Sequence, residues 1–149
     1  MKITGSAPAI AIPTFLYFFL MVIIDSYTQH AFRITENYYG TLAAIAAIMI
    51  LTGVVGVAAS ARKLLKCFKQ RVLITDGPYR ICRNPMYASY VFFVIPGLCL
   101  LFNSWLVLTT VIVNFSLTLI FVPREYAYLE ETFGDEYRTY LKSVWIKFI

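Results

Sequence analysis

Charge is the scarcest property of this chain: 14% of its 149 residues are Asp, Glu, Lys or Arg, against 60% apolar, with a mean hydropathy of +0.71. A soluble domain of this length needs far more charged surface, so a water-soluble globule is excluded and a membrane protein is expected. Histidine is almost missing, with His30 alone. The three cysteines Cys67, Cys82 and Cys99 show no C-x-x-C spacing. A zinc or iron centre is therefore not expected, and the metal prediction is none. No glycine-rich loop is present, so the phosphate-binding device of a nicotinamide-dependent membrane reductase is missing. No linker, low-complexity tract or repeat of 20–50 residues divides the chain, which implies one domain over residues 1–149. A soluble basic module is also absent, which excludes nucleic acid as a partner.

What the chain does have is four apolar stretches, about Ala9–Ile24, Tyr39–Ala59, Met86–Phe102 and Trp105–Val122. A span needs roughly 17–25 residues. The predicted fold class is all-α integral membrane, with about four transmembrane helices and a C-terminal amphipathic helix. Only Lys2 precedes the first stretch, and Asp25-Ser26-Tyr27 follows it, so it reads as a span rather than a cleaved signal. The formal charge of +5 is concentrated in one loop: Arg62, Lys63, Lys66, Lys69, Arg71, Arg80 and Arg83 stand against Asp76. The positive-inside rule makes that loop cytoplasmic and, with four spans, both termini as well. The bilayer and an anionic leaflet or ligand group are the partners this charge suits. Nothing in the chain fixes an oligomeric state.

Finer signals follow. Gly53 and Gly56 among alanines allow close helix packing. Lys63 to Lys69 either continues the second span or lies along the interface. Arg71 to Ile74 reads as a short extended segment and Asp76-Gly77-Pro78 as a turn. Asn84-Pro85 is a helix start, with Asn at the N-cap and Pro at N1. Pro123 ends or kinks the fourth span. Leu129, Phe133, Tyr137, Leu141, Val144 and Phe148 then recur at helical spacing, interrupted near Gly134. The acids on the other face of that segment are expected to meet the bases of the central loop.

Polar chemistry is confined to two blocks. One is Thr75-Asp76-Gly77-Pro78-Tyr79-Arg80-Ile81-Cys82-Arg83-Asn84-Pro85-Met86-Tyr87; the other holds Glu125, Leu129, Phe133-Gly134, Tyr137 and Tyr140. Arginines, tyrosines and an Asn-Pro cap at a membrane boundary each have a structural explanation in topology, aromatic belts and helix starts. Their ordered conjunction, bracketing one helical hairpin, is more than belt composition supplies.

The pattern resembles the isoprenylcysteine carboxyl methyltransferase family and its relatives, the membrane phospholipid methyltransferases. Their signature looks like L-V-T-x-G-P-Y-x-x-x-R-H-P-x-Y, a hairpin, then E-E-x-x-L-x-x-x-F-G-x-x-Y-x-x-Y. The resemblance covers about residues 70–141, with the first two spans matching only as generic membrane helices. It implies S-adenosylmethionine as cofactor and a lipid-soluble methyl acceptor, a lipid amine or a prenylcysteine-type carboxylate, in a prokaryotic inner membrane. Carried onto this chain, Arg83 and Glu125 are the catalytic positions. Glu125 also faces the cofactor's cation, Arg83 with Asn84 meets its carboxylate, and Pro85 belongs to the same cofactor-binding helix start. Val72, Leu73, Ile74 and Tyr79 form an adenine slot and Tyr87 lines the cofactor. Two motif positions depart from the pattern, Asn84 for the usual His and Tyr126 for the second Glu. Phe121 stands where the prenylcysteine enzymes have an arginine associated with the acceptor's carboxylate, which argues against a prenylcysteine acceptor. A non-catalytic membrane scaffold or assembly protein with a decayed site is the alternative that Asn84 and Tyr126 raise, and a membrane reductase-like relative on a related hairpin scaffold is the other.

Overall fold

The computed structural model describes residues 6–28, 31–70 and 72–147, and the backbone alone for residues 66–70. His30, Arg71, Phe148 and the Cys67 side chain lie outside the described residues. The protein is an all-α integral membrane protein. Its helices are α1 (Ala7–Tyr27), α2 (Tyr39–Gln70), α3 (Pro78–Ile81), α4 (Pro85–Ser89), a π-helical segment (Tyr90–Val94), α5 (Ile95–Leu101), α6 (Trp105–Leu108), α7 (Thr110–Phe121) and α8 (Pro123–Ser143). α1, the Tyr39–Leu65 part of α2 and the run Trp105–Ser143 through α6, α7 and α8 are long and apolar enough to cross a bilayer; the third apolar segment, Pro85–Leu101, is shorter.

The stretch Lys63 to Lys69 continues α2 out of the apolar region rather than turning along the interface. In the third segment Pro96 has no N–H to give Phe92, and its ring would clash with that carbonyl. The helix answers by widening: the Ile95 N–H bonds Tyr90 O, five residues back, and one π turn absorbs the proline.

α2 lies along α4, the π segment and α5, whereas α1 lies along α6 and α7. Glycines make the first seam possible. A Cβ at Gly53 would stand 2.6 Å from Val94 Cγ2, and one at Gly56 would collide with Ser89 Oγ. Without a hydrophobic force between helices in lipid, such close backbone approach is what associates them. The second seam is pinned by polar groups. Asn114 Nδ2 donates to Thr14 Oγ1 at 3.0 Å, Tyr17 and Thr109 share a hydroxyl bond at 3.1 Å, and Ser104 Oγ donates to the buried Asp25 at 2.6 Å. Around them Phe18 and Met21 of α1 pack on Ile95, Cys99 and Val107.

At the end away from the polar blocks, Asn103 takes φ +51°, a conformation Asn tolerates. Its side chain exchanges two hydrogen bonds with the Thr35 backbone, tying the two loops of that end together.

α8 bends at Gly134, whose φ of +50° and ψ of −121° suit glycine alone. A Cβ there would touch nothing within 4 Å, so any substitution penalty is conformational rather than steric. Gly134→Ala is accordingly expected to destabilise the protein by about 1–3 kcal/mol, read as a lower melting temperature in detergent. The bend lets Tyr137, Tyr140 and Val144 reach back to Leu73, with Leu129, Phe133 and Leu141 around them.

Among the described residues, the acids of α8 do not pair with the bases of the central loop, contrary to expectation. Arg138 pairs with Glu130 and Asp135 of its own helix, and Lys63 pairs with Asp76 at the adjoining turn. Among the described residues, apolar packing and tyrosine hydrogen bonds dock α8 on the loop instead. Residues 72–75 pair in no β-ladder and run without regular secondary structure into the turn at Gly77.

Candidate active site at the meeting of the two polar blocks

The start of α4 and the start of α8 lie side by side. Asn84 is the N-cap of α4 by position, but its side chain makes no cap bond. It donates instead across to Tyr126 Oη at 3.0 Å. One turn later Tyr87 Oη donates to Glu125 Oε1 at 2.8 Å. These two rungs join positions three apart on α4 to adjacent positions on α8, so both helix ends present one face to each other. Pro85 is buried between them as the first residue of α4, its missing N–H being one the helix end would leave unpaired anyway.

Arg83 sits directly before this helix start. Its guanidinium lies 3.2 Å from the centroid of the Tyr126 ring and 5.5 Å from that of Tyr137. Its Nε donates to Tyr137 Oη at 2.9 Å, and Nη2 donates to the same oxygen. A half-buried cation packed against two rings is held by them as well as by its hydrogen bonds. The backbone beside it is strapped by the C-terminal segment, since the Arg83 N–H bonds Ile146 O and the Ile146 N–H bonds Ile81 O, both at 2.9 Å. Tyr140 Oη donates to Tyr79 O at 2.7 Å, fixing α3 beneath the same wall.

Burial dominates the titration of this wall. It pushes the Tyr126 phenol up to about 12, against the lowering effects of the Arg83 charge and the Asn84 hydrogen bond. The Tyr137 phenol is raised for the same reason, with Arg83 again opposing, and the buried Cys82 thiol is raised too. The tyrosines therefore stay neutral throughout the physiological range.

Of the residues singled out from sequence, the structure gathers Arg83, Asn84, Pro85, Tyr87 and Glu125 in one place. Leu73, Ile74 and Tyr79 are buried in the adjoining wall. Val72 is not brought in, being 54% exposed. Three participants were missed as site residues. Tyr126 had been noted only as a departure. Tyr137 had been noted only as part of a motif. Ser6, whose N–H donates to Glu125 Oε1, had not been noted at all.

A family model described as phospholipid methyltransferase matches residues 41–136. The chain belongs to that family. The matched segment starts in α2, well ahead of the stretch near residue 70 where the motif resemblance begins. It holds both polar blocks up to Glu136, and leaves α1 and the Tyr137–Tyr140 turn outside. No match was found among curated proteins or solved structures. Membership implies a membrane methyltransferase acting on lipid substrates, and phospholipid methyltransferases generally use S-adenosylmethionine.

Proposed function

We propose that this chain transfers a methyl group from S-adenosylmethionine to a lipid-soluble acceptor, a lipid amine or a prenylcysteine-type carboxylate, at the cytoplasmic face of the membrane. The whole chain acts as one domain with residues 70–141 as its core. The observation that carries the reading is the paired rungs Asn84–Tyr126 and Tyr87–Glu125, which bring the two motif blocks of a methyltransferase family to one membrane boundary.

The donor set fits the cofactor. A sulfonium and an ammonium call for a carboxylate, which Glu125 offers; a carboxylate calls for donors, which Arg83 and the open N–H groups at the start of α4 offer. Leu73, Ile74 and Tyr79 supply apolar surface suited to adenine. The cofactor, when bound, supplies an already activated methyl group. The protein's share is to hold charges in place, align the acceptor and exclude water. Arg83 and Glu125 hold their places through tyrosines, so both charges are positioned before any ligand arrives.

The two departures from the family pattern support a maintained site over a decayed scaffold. Asn84 and Tyr126 are hydrogen-bonded to each other, a matched pair of neutral groups in the two positions. Calorimetry on the detergent-solubilised protein should show S-adenosylmethionine binding. Radiolabelled methyl transfer should then mark either total lipid or a prenylcysteine analogue, and which one takes label names the acceptor. Absence of binding together with label in neither fraction would sink the proposal.

A further inference from the structure

α1 lies outside the segment that the family match covers, yet its first turn reaches the candidate site. At the α7–α8 junction the Glu125 N–H bonds Val122 O, three residues back, at 2.9 Å. The Phe121 carbonyl is thereby released from its usual helical partner. Ser6 takes it: its Oγ donates to Phe121 O at 3.1 Å, while its N–H donates to Glu125 Oε1. One residue thus grips both the turn that presents Glu125 and the carboxylate itself.

The grip depends on register along the bundle. From the Thr14–Asn114 bond, eight residues of α1 lead to Ser6 and seven of the neighbouring helix lead to Phe121. At 1.5 Å per residue these rise about 12 Å and about 10 Å. The polar pin in the apolar interior therefore delivers Ser6 to the level of Glu125. Asn114 is fully buried, so slippage by one turn would take its Nδ2 off the Thr14 hydroxyl and leave that donor without a partner.

We propose that α1 completes the methyl-transfer site, with Ser6 as a positioning residue whose backbone amide aims the Glu125 carboxylate. The inference rests on the reading of Glu125 as the cofactor's counter-charge. The Tyr87 hydroxyl on the same oxygen would otherwise leave the carboxylate free to swing about that one bond.

The test is a double-mutant cycle in the full chain. Ser6→Pro removes the amide donor at a residue whose φ of −84° is close to what the proline ring imposes. Ser6→Ala keeps that amide and loses only the hydroxyl. Both are combined with Glu125→Ala, and S-adenosylmethionine affinity and melting temperature are measured for each. Ser6→Pro should weaken affinity by roughly two- to tenfold, the scale of one hydrogen bond, and Ser6→Ala should recover most of that loss. In the Glu125→Ala background Ser6→Pro should add nothing to the affinity loss, and melting temperatures should be non-additive by about 2–4 °C. Equal losses for Ser6→Pro and Ser6→Ala, or an additive cycle in melting temperature, would overturn the inference. A wild-type protein that binds no S-adenosylmethionine defeats the proposed function instead, and the melting-temperature cycle still decides whether Ser6 and Glu125 are coupled.

Discussion

Glu125→Gln is expected to weaken S-adenosylmethionine binding by about 10- to 150-fold with little change in melting temperature. The amide keeps an oxygen for the Tyr87 hydroxyl and the Ser6 N–H, so the rungs that hold α4, α8 and α1 together survive. What disappears is the negative charge, and interactions with a charged partner contribute roughly 1.5–3 kcal/mol, which is the stated range of affinity. Glu125→Ala separates the two roles from the other side. It removes the acceptor as well, leaving the buried Tyr87 hydroxyl without its partner, so both affinity and melting temperature should fall. Calorimetry and thermal unfolding on the same detergent samples distinguish the cases. An unchanged affinity in Glu125→Gln would remove the carboxylate from cofactor binding.

The membrane class, the four apolar segments and the meeting of the two polar blocks were legible because composition and motif order are properties of the chain itself. The same is true of Gly53 and Gly56, whose small size among alanines already implied a close helix approach. The partners of individual side chains were harder to read. Asn84 followed by Pro85 predicts an N-cap, and the backbone obliges, but the side chain turns to Tyr126 because packing of α8 offers a buried hydroxyl there. Val72 is as apolar as Leu73 and Ile74, but residues 72–75 form no regular element and only the latter two are buried. Arg138 found Asp135 one turn before it and Glu130 across the bend at Gly134, since nearby partners need little further ordering of the chain. Ser6 had no signal to find. Its grip on Glu125 uses a backbone amide, which every residue but proline has, and spans 119 positions. Tyr137 did have one, its place in the F-G-x-x-Y run, and only its bond to Arg83 shows why that spacing matters.

Gly97→Leu is expected to prevent assembly of the bundle, with a loss exceeding about 3 kcal/mol and no folded, cofactor-binding species recovered in detergent. A Cβ at Gly97 would lie 2.8 Å from Ile50 Cγ1, 3.0 Å from Ala46 O and 3.2 Å from Ile50 N. Two of those three atoms are backbone, so a rotamer change cannot relieve the crowding, and the α2 and α5 axes must separate. A single overpacked methylene typically costs about 1–3 kcal/mol, and leucine adds a whole side chain to a seam where Ala46 is already fully buried. Separation would not stay local. α2 also packs along α4 and the π segment, where Gly53 and Gly56 hold Phe93, Val94 and Ser89 at the same short range. Moving α2 therefore removes the support behind the helix start that carries Asn84 and Tyr87, and the rungs to Tyr126 and Glu125 lose their register. The matching control is Gly40→Leu at the beginning of α2, the helix that Gly97 packs against, where nothing lies within 4 Å of a new Cβ. That variant should express, unfold at the wild-type temperature and bind cofactor normally. If Gly97→Leu behaved like Gly40→Leu in these measurements, close packing of α2 against the third segment would not be what builds the site.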